Sequence, residues 1–552
     1  MAAGRVFTSS TFIRTLAFLL GINLVVAESP YQFFTWNITL GTISPMGVPQ
    51  KAILINGDYP GPNINTTTNN NIVINVFNNL DDPFLFSWHG FQQRKNSWQD
   101  GMSGTNCPIM PGTNFTYKFQ AKDQIGSYYY FPSLGMQKAS GGFGGIRINS
   151  RMYIPVPYDQ PEDDYTVLIG ELYTQLYKAL ESRLDKGRGI GNPVGVHING
   201  QTGKESTELF VMKPSKTYRY RICNIGIKVT LNFRIQGHNM LLVEMDGSHV
   251  VQNSYDSLDV HVGQCFSVLV TADKKPGAYQ MMASTRFTKY DRSATGLIRY
   301  EGTKTPPSPD LPKAPVGWMW SLNQFESFEW NLTASAARPN PQGSYHYGSI
   351  NITRTIKLHN SVGKVDGKNR YAINGKSFKE SAVPLKLVEY YGIVDQYFKY
   401  DTIPDEPKTN DKSIVIEPIV IKAVYRDFVE IIFENPEKSV QSYHLDGYSF
   451  FAVGMGFGRW SEASRKGYNL VDAVSRHTIQ VYPNSWSAIM LTFDNAGMWN
   501  LRSEVWERSY LGQQIYVSVI SPARSLRDEY NMPESELLCG PFAKLPKPEP
   551  YT

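Results

Sequence analysis

Short runs of alternating apolar and polar residues, separated by turn residues, are the main pattern of this chain. The clearest runs are Asn71–Phe77, Thr217–Cys223 and Phe428–Phe433, and each is rich in β-branched or aromatic residues. Successive side chains of a strand point to opposite faces, so this alternation is typical of strands that bury one face. The pattern predicts several β-sandwich domains.

A repeated tripeptide divides the chain. Ile-Asn-Gly begins at Ile55, Ile198 and Ile373, and each copy precedes one of the three runs. The copies are more than about a hundred residues apart, which is the size of a domain and not of a solenoid unit. Within the 552 residues we expect a signal peptide at 1–27, a first domain at 28–155, a second domain at 160–305, a Pro-rich linker at 306–340, a third domain at 341–540 and a C-terminal tail at 541–552.

Two stretches depart from the strand pattern. Apolar residues at helical spacing predict one helix over residues 173–184, at the start of the second domain. Residues 301–315 are rich in proline, which predicts an extended and exposed connection.

Composition agrees with β structure, because 13% of the residues are aromatic and the chain has 45 glycines and 34 prolines for its turns. The formal net charge of +5 is small for this length, and lysine and arginine are dispersed. This distribution argues against nucleic-acid binding and is compatible with a weak affinity for an acidic polysaccharide.

The N-terminus predicts secretion. Arg5 and Arg14 precede an apolar run that ends in small residues, which is typical of a signal peptide cut after Ala27. No apolar tail follows Cys539, so we expect no membrane anchor. Acceptor motifs for glycosylation begin at Asn37, Asn65, Asn114, Asn331 and Asn351.

The segment Leu491–Gln514 resembles a known family. Its motif Asp494-Asn-Ala-Gly-Met-Trp499 is similar to the last copper-binding segment of plant ascorbate oxidases and laccases. Further family motifs are Ser87-Trp-His-Gly90, Trp98-Gln-Asp-Gly101, Gly126-Ser-Tyr-Tyr-Tyr130, Tyr443-His-Leu-Asp-Gly447 and Phe450-Phe-Ala-Val-Gly454. Nearly the whole mature chain resembles plant multicopper oxidases, most of all the pollen-type L-ascorbate oxidase homologues of the skewed-root-growth group. The resemblance implies an all-β fold of three cupredoxin-like β-sandwich domains with Greek-key connections.

The four cysteines suit an oxidising compartment, and their number allows three pairings. Cys107 and Cys539 lie where ascorbate oxidases join the first domain to the C-terminus, so the resemblance implies this pair. Cys223 and Cys265 then remain for a second disulfide.

The resemblance also shows which copper positions have changed. Of the family's histidine ligands, His89 and His444 remain. The other aligned copper positions hold Ser87, Phe131, Ser133, Gln441, Asp446, Arg502, Ser503, Glu504, Arg508 and Gln513. A mononuclear blue copper needs a thiolate and two imidazoles, but its positions hold Gln441, Ser503, Arg508 and Gln513. We therefore expect no copper cofactor and name no catalytic residue.

Two hypotheses describe what fills the former copper space. In the first, an Asp446–Arg502 ion pair and a His89–Glu504 hydrogen bond replace metal ions, because buried polar groups need partners. In the second, His89, His444, Asp446 and Glu504 bind zinc, manganese or iron, although the charges of Arg502 and Arg508 oppose a dication. The remaining histidines show no ligand spacing: His197, His238, His249, His261, His346, His359 and His477.

The resemblance implies a secreted glycoprotein of the cell wall or apoplast that acts in pollen development, pollen-tube growth or directional cell expansion. We expect it to bind a wall polysaccharide or wall protein instead of catalysing redox chemistry. The alternative is a copper-dependent oxidase of ascorbate or phenols with oxygen as acceptor. A cleft between the first and third domains is predicted to be lined by Trp88, Tyr130, Tyr443 and Trp499.

Overall fold

The structure is a computed structural model that describes residues 29–151, 154–203, 207–330, 346–407 and 413–552. The predicted signal peptide and the acceptor Asn331 lie outside these ranges. Six sheets form three β-sandwich domains in chain order, so the predicted all-β class is confirmed. In the described part of the chain no helix combines the length and the apolar character needed to cross a membrane.

The first domain is built from two four-stranded sheets, ordered β2-β1-β4-β6 and β3-β8-β7-β5. Its strands are β1 (Tyr31–Ile43), β2 (Gln50–Ile55), β3 (Ile64–Thr67), β4 (Asn71–Asn78), β5 (Phe86–His89), β6 (Asn114–Gln120), β7 (Gly126–Pro132) and β8 (Gly144–Asn149). Every second residue of β4 is buried, as its alternation predicts. Strand β7 is buried along its whole length, because it also contacts the second domain, where Ser127 and Ser267 share a 2.7 Å hydrogen bond.

The second domain has a six-stranded sheet, β10-β9-β12-β17-β14-β15, and a five-stranded sheet, β11-β19-β18-β13-β16. Its strands are β9 (Asp164–Leu172), β10 (Gly195–Ile198), β11 (Glu208–Met212), β12 (Thr217–Asn224), β13 (Leu231–Ile235), β14 (Met240–Met245), β15 (Ser248–Tyr255), β16 (Ser257–Val260), β17 (Cys265–Thr271), β18 (Ala278–Thr285) and β19 (Ser293–Tyr300). Cys223 and Cys265 are register partners on β12 and β17 and form a disulfide.

The third domain pairs an eight-stranded sheet, β23-β22-β21-β20-β25-β30-β27-β28, with a five-stranded sheet, β24-β32-β31-β26-β29. Its strands are β20 (Arg354–Val365), β21 (Lys368–Ile373), β22 (Lys376–Phe378), β23 (Val415–Glu417), β24 (Val420–Val424), β25 (Phe428–Asn435), β26 (Gln441–Leu445), β27 (Phe450–Phe457), β28 (Ser475–Arg476), β29 (Thr478–Val481), β30 (Ser485–Thr492), β31 (Gly497–Ser503) and β32 (Gln514–Ile520). Cys107 and Cys539 form the other disulfide, which joins this end of the chain to the first domain.

Helices are short and join domains. The α-helices are α1 (Tyr177–Asp185), α2 (Trp318–Trp330), α3 (Leu385–Tyr390) and α4 (Trp506–Tyr510), and the 3₁₀ helices are Ser97–Gln99, Gln137–Ser140, Tyr347–Ser349, Val394–Gln396, Glu462–Gly467 and Gly540–Lys544. The helix predicted over residues 173–184 is present as α1, which begins four residues later and ends one residue later. Helix α2 lies inside the segment predicted as linker, and it buries Leu322 and Phe325 in the third-domain core and Phe328 in the second-domain core.

The predicted aromatic cleft does not exist as described. Trp88 and Tyr130 belong to the first-domain core, and Tyr443 and Trp499 belong to the third-domain core. None of these four side chains is more than 3% exposed. The large apolar area of these rings is used for packing, not for lining an open surface.

Candidate metal centre

Three histidines from two domains meet in the interior. His89 ends β5 in the first domain, whereas His444 lies in β26 and His477 lies between β28 and β29 of the third. Because β29 pairs with β26 so that Thr478 faces His444, His477 is brought beside His444. One ring nitrogen from each histidine lies within 4.8 Å of the others, and all three side chains are buried.

Backbone carbonyls orient two of these rings. His89 Nε2 lies 2.8 Å from the carbonyl oxygen of Gly263 in the second domain, so all three domains contribute to the centre. His444 Nδ1 lies 2.7 Å from the carbonyl oxygen of His477. A carbonyl oxygen only accepts, so the facing nitrogen carries the hydrogen in each case.

The remaining ring nitrogens differ in their partners. His444 Nε2 lies 2.8 Å from Asp446 Oδ1. His89 Nδ1 and both ring nitrogens of His477 have no hydrogen-bond partner in the described structure. Buried polar atoms are normally paired, so three unpaired imidazole nitrogens in one cluster indicate a missing partner.

Burial keeps two of the rings neutral. Loss of solvent lowers the pKa of His89 well below its ordinary value, and the positive charges of neighbouring groups lower it further. Loss of solvent likewise lowers the pKa of His477 to about 4, although Asp246 opposes this shift. Neutral imidazole is the form that binds transition metals.

Arg502 lies beside the histidines and neutralises two carboxylates. Its Nη1 is 2.5 Å from Asp446 Oδ2, and its Nε is 3.1 Å from Glu504 Oε1, with all three side chains buried. Burial by itself would raise the pKa of Asp446, but Arg502 and His444 lower it. The predicted Asp446–Arg502 pair is confirmed.

The predicted His89–Glu504 hydrogen bond is wrong. His89 Nδ1 and Glu504 Oε1 are 3.9 Å apart, which is too long for a hydrogen bond. The permanently charged guanidinium of Arg502 approaches Glu504 more closely than the neutral ring does. The carboxylates of Asp446 and Glu504 therefore face Arg502, and His477 is the third histidine of the cluster.

Besides His477, two charged groups near the centre were not predicted from the sequence. Lys138 is buried with its Nζ 3.9 Å from Glu504 Oε2 and 4.5 Å from the Phe131 ring centre. Burial lowers its pKa to about 8, although Glu504 acts in the opposite direction. Asp246 lies 3.9 Å from His477 Nε2. His477 itself could be found only by predicting that β29 pairs with β26, because its spacing along the chain carries no ligand signal.

The residues aligned in sequence with blue-copper positions form a polar network. Arg508 donates to both carboxylate oxygens of Glu437, at 3.0 and 2.7 Å. Gln513 Nε2 donates to the Tyr443 hydroxyl at 2.5 Å. The other contacts are Ser503 Oγ with the Val505 amide at 3.2 Å, and Gln441 Nε2 with Ser439 Oγ at 3.0 Å.

The first-domain residues aligned with copper positions make contacts with other protein groups or are buried. Ser133 donates to the Gly101 carbonyl oxygen at 2.5 Å. Phe131 packs edge-on against Trp506, with ring centres 5.1 Å apart. Ser87 is buried in β5 and, in the described structure, its hydroxyl has no hydrogen-bond partner.

Three family models, each described as multicopper oxidase, match residues 37–152, 163–303 and 383–525. The chain belongs to the multicopper oxidase family. An L-ascorbate oxidase homolog of Brassica napus is 64% identical over 96% of both chains. The Monocopper oxidase-like protein SKU5 of Arabidopsis thaliana is 45% identical over 97% of this chain and 94% of its own.

Solved structures share the fold of this multicopper oxidase family member. The multicopper oxidase Fet3p, which functions in iron import, has a TM-score of 0.74 at 19% identity and covers 89% of this chain and 90% of its own. A laccase from Botrytis aclada has a TM-score of 0.72 at 22% identity, with coverages of 89% and 88%.

The expectation of no copper cofactor is contradicted by this family membership, because multicopper oxidases point to copper. The residues present fit one copper ion: His89, His444 and His477 offer three buried imidazoles, and those of His89 and His477 have nitrogens without a hydrogen-bond partner in the described structure. Copper held there would supply a redox-active Lewis acid. The blue-copper positions do not fit, because Arg508 is cationic and all four cysteines of the chain form disulfides.

Proposed function

We propose that this chain is a secreted glycoprotein of the cell wall or apoplast that acts by binding and not by the electron transfer of an ascorbate oxidase or laccase. Its role would be in pollen development, pollen-tube growth or directional cell expansion. The observation that carries the proposal is the Arg508–Glu437 ion pair, because Arg508 is aligned with a ligand of the electron-accepting copper.

Ser503 and Arg508 would prevent the transfer of electrons from a reducing substrate to a blue copper. A blue copper takes electrons from the reducing substrate, and it needs a cysteine thiolate and imidazoles. Ser503 offers a neutral hydroxyl, and Arg508 stays protonated in proteins. A copper ion held by the three histidines would have no neighbouring copper from which to receive those electrons.

Several features support an extracellular location. The four acceptor asparagines in the described ranges, Asn37, Asn65, Asn114 and Asn351, are exposed. Both disulfides suit an oxidising compartment. Glycosylation of exposed asparagines would occur as the chain passes through the secretory pathway.

A cavity at the meeting point of the three domains is the place where we expect an acidic wall polymer to bind. It has a volume of about 230 Å³, and its lining includes Lys368, Arg370, Lys379 and the buried Arg502. Asp185 and Glu380 also line it, and Lys368 lies 3.5 Å from Asp185. Lys368 and Arg502 thus have carboxylate partners within the protein. The charges of Arg370 and Lys379 would attract carboxylate groups of a polysaccharide.

Oxygen consumption tests the proposal against the oxidase alternative. The secreted protein, loaded with copper, would be mixed with ascorbate and separately with a diphenol, and oxygen uptake would be recorded with an L-ascorbate oxidase as the positive control. We expect no uptake above the rate of free copper at the same concentration. Saturable turnover that requires the protein would overturn the proposal and establish the oxidase.

A further inference from the structure

The hydrogen bonds of the three histidines determine which ring nitrogens could bind a metal ion. The Gly263 carbonyl holds the hydrogen of His89 on Nε2, which leaves the lone pair on Nδ1. The His477 carbonyl accepts the hydrogen of His444 Nδ1, and the Asp446 carboxylate accepts a hydrogen from Nε2 at 2.8 Å, so Nε2 can bind a metal only after it releases that hydrogen. A hydrogen bond from the opposite ring nitrogen is how proteins orient histidine ligands of metals.

We propose that His89, His444 and His477 bind a single copper ion, with His477 as a ligand that none of the family's copper positions supplies. The proposal does not depend on the binding function proposed above. It differs from a partly emptied multicopper centre because His477 enters from the link between β28 and β29.

The distances require only a small closure of the rings. Ligand nitrogens lie about 2.0–2.1 Å from a tetrahedral first-row ion, and so at most about 4.2 Å from one another. One nitrogen from each of the three rings already lies within 4.8 Å of one nitrogen of each other ring. His89 and His444 are the closest rings, with centres 4.1 Å apart, and His477 stands across them at 5.1 and 5.2 Å.

One contact must be exchanged when the ion binds. His444 Nε2 now donates a hydrogen bond to Asp446 Oδ1 at 2.8 Å, and on metal binding it would release that proton to solvent and turn the freed lone pair to the ion. Asp446 would keep its ion pair with Arg502, so its carboxylate would not be left unpaired. His89 Nδ1 and His477 need no such exchange, because their nitrogens have no other hydrogen-bond partner in the described structure.

Nearby carboxylates offset the charge of the ion. Asp446 and Glu504 hold the charge of Arg502, which removes the repulsion expected from the sequence. Asp246 lies 3.9 Å from His477 Nε2 and accepts a 2.6 Å hydrogen bond from the Thr478 hydroxyl. A fixed carboxylate beside a ligand histidine is the usual arrangement around bound metals.

The chemistry of the donors selects the ion. Imidazole suits copper, zinc and other late first-row metals, whereas calcium and magnesium require oxygen ligands. Copper binds nitrogen sites more tightly than zinc does. We therefore assign copper, and zinc becomes one outcome of the test.

The test measures metal content and spectra of the full secreted protein, purified without chelators. The variant His477→Gln removes the new ligand, and His238→Gln is the control, because His238 is also buried but lies in the second domain, bonded to Tyr300. We expect about one copper per chain in the wild type and in His238→Gln. The Cu(II) resonance should show hyperfine splitting from nitrogen, without the intense absorption of a copper thiolate.

The variant His477→Gln should lose at least about tenfold in copper affinity, measured by competition with a chelator. A second measurement does not depend on comparing variants: copper should raise the apparent Tm of the wild type in proportion to the logarithm of its concentration. Wild-type protein that refolds in copper yet holds none would overturn the proposal, as would full copper retention by His477→Gln. One zinc per chain that copper cannot displace would overturn the assignment to copper.

Discussion

Arg502, in strand β31, and Asp446, the residue directly after strand β26, form a buried ion pair with 2.5 Å between Nη1 and Oδ2. In the register of the two strands Arg502 stands opposite His444, and Asp446 follows one residue after β26 ends. The pair therefore connects the centre of the third domain to the histidine cluster. Its energy can be measured by changing one partner and then both.

Replacing one partner should destabilise the protein strongly. Arg502→Met leaves Asp446 and Glu504 buried without their cation, and Asp446→Asn leaves Arg502 short of one anion. Breaking a buried pair costs about 3–5 kcal/mol. Urea denaturation, followed by tryptophan fluorescence, would show this as a lower midpoint.

The double variant Arg502→Met/Asp446→Asn should lose less stability than the sum of the two single variants. Removing both charges leaves no unpaired partner within this pair, although Glu504 loses Arg502 and keeps the more distant cation of Lys138, at 3.9 Å. Strict additivity of the two losses would show that the residues do not interact.

The C-terminal segment should become less stable as the pH rises. Burial raises the pKa of Glu536 to about 8, although a hydrogen bond from Asn106 lowers it. In the unfolded chain the same carboxyl loses its proton near its ordinary pKa of 4.5. Between these two values the folded protein keeps a proton that the unfolded chain releases. The contribution of Glu536 to the free energy of unfolding is therefore greatest below pH 4.5 and is lost by about pH 8, with a slope of at most about 1.4 kcal/mol per pH unit.

The variant Glu536→Gln should abolish this part of the pH dependence, because glutamine keeps the hydrogen bond and does not ionise. The measurement is the difference in Tm between about pH 5 and about pH 8, compared for the two proteins so that other titrations cancel. An equal difference in both would mean that Glu536 is ionised in the folded protein.

Acidic polysaccharide should bind through the cavity at the domain junction. Lys379→Glu reverses an exposed charge of the lining, and it should weaken binding to polygalacturonate by about twofold to tenfold. Lys51→Glu makes the same change at an exposed position of β2 and should have little effect. Equal losses in both variants would show that net charge, not the cavity, controls binding. Sedimentation with the polymer at two salt concentrations would measure this.

Restoring the thiolate alone should not restore blue copper. Ser503→Cys supplies sulfur, but Gln441 and Arg508 still stand where imidazoles are required. We expect no intense visible absorption from the copper-loaded single variant. The triple variant Gln441→His/Ser503→Cys/Arg508→His is the comparison, and it should gain that absorption, because a thiolate and two imidazoles are the required set. A blue single variant would contradict the role given to Arg508.

Sequence patterns predicted the features that depend on local periodicity and on motif order. The burial of alternate residues in β4 follows from Asn71–Phe77, and the Asp446–Arg502 pair follows from which copper positions carry opposite charges. His477 could not be predicted, because its place in the cluster depends on a pairing between strands that no short motif encodes. Helix α2 was not predicted, because it follows directly on the Pro-rich stretch that ends at Pro315 and both were assigned to one linker over residues 306–340.

The Cys107–Cys539 disulfide closes a covalent ring around most of the chain, since its two cysteines are 432 residues apart. A single proteolytic cut at any exposed loop inside that ring leaves both fragments joined. The cut molecule would keep its mass on a non-reducing gel and separate only after reduction. In a compartment rich in proteases, this topology lets the three domains stay together after their backbone has been broken.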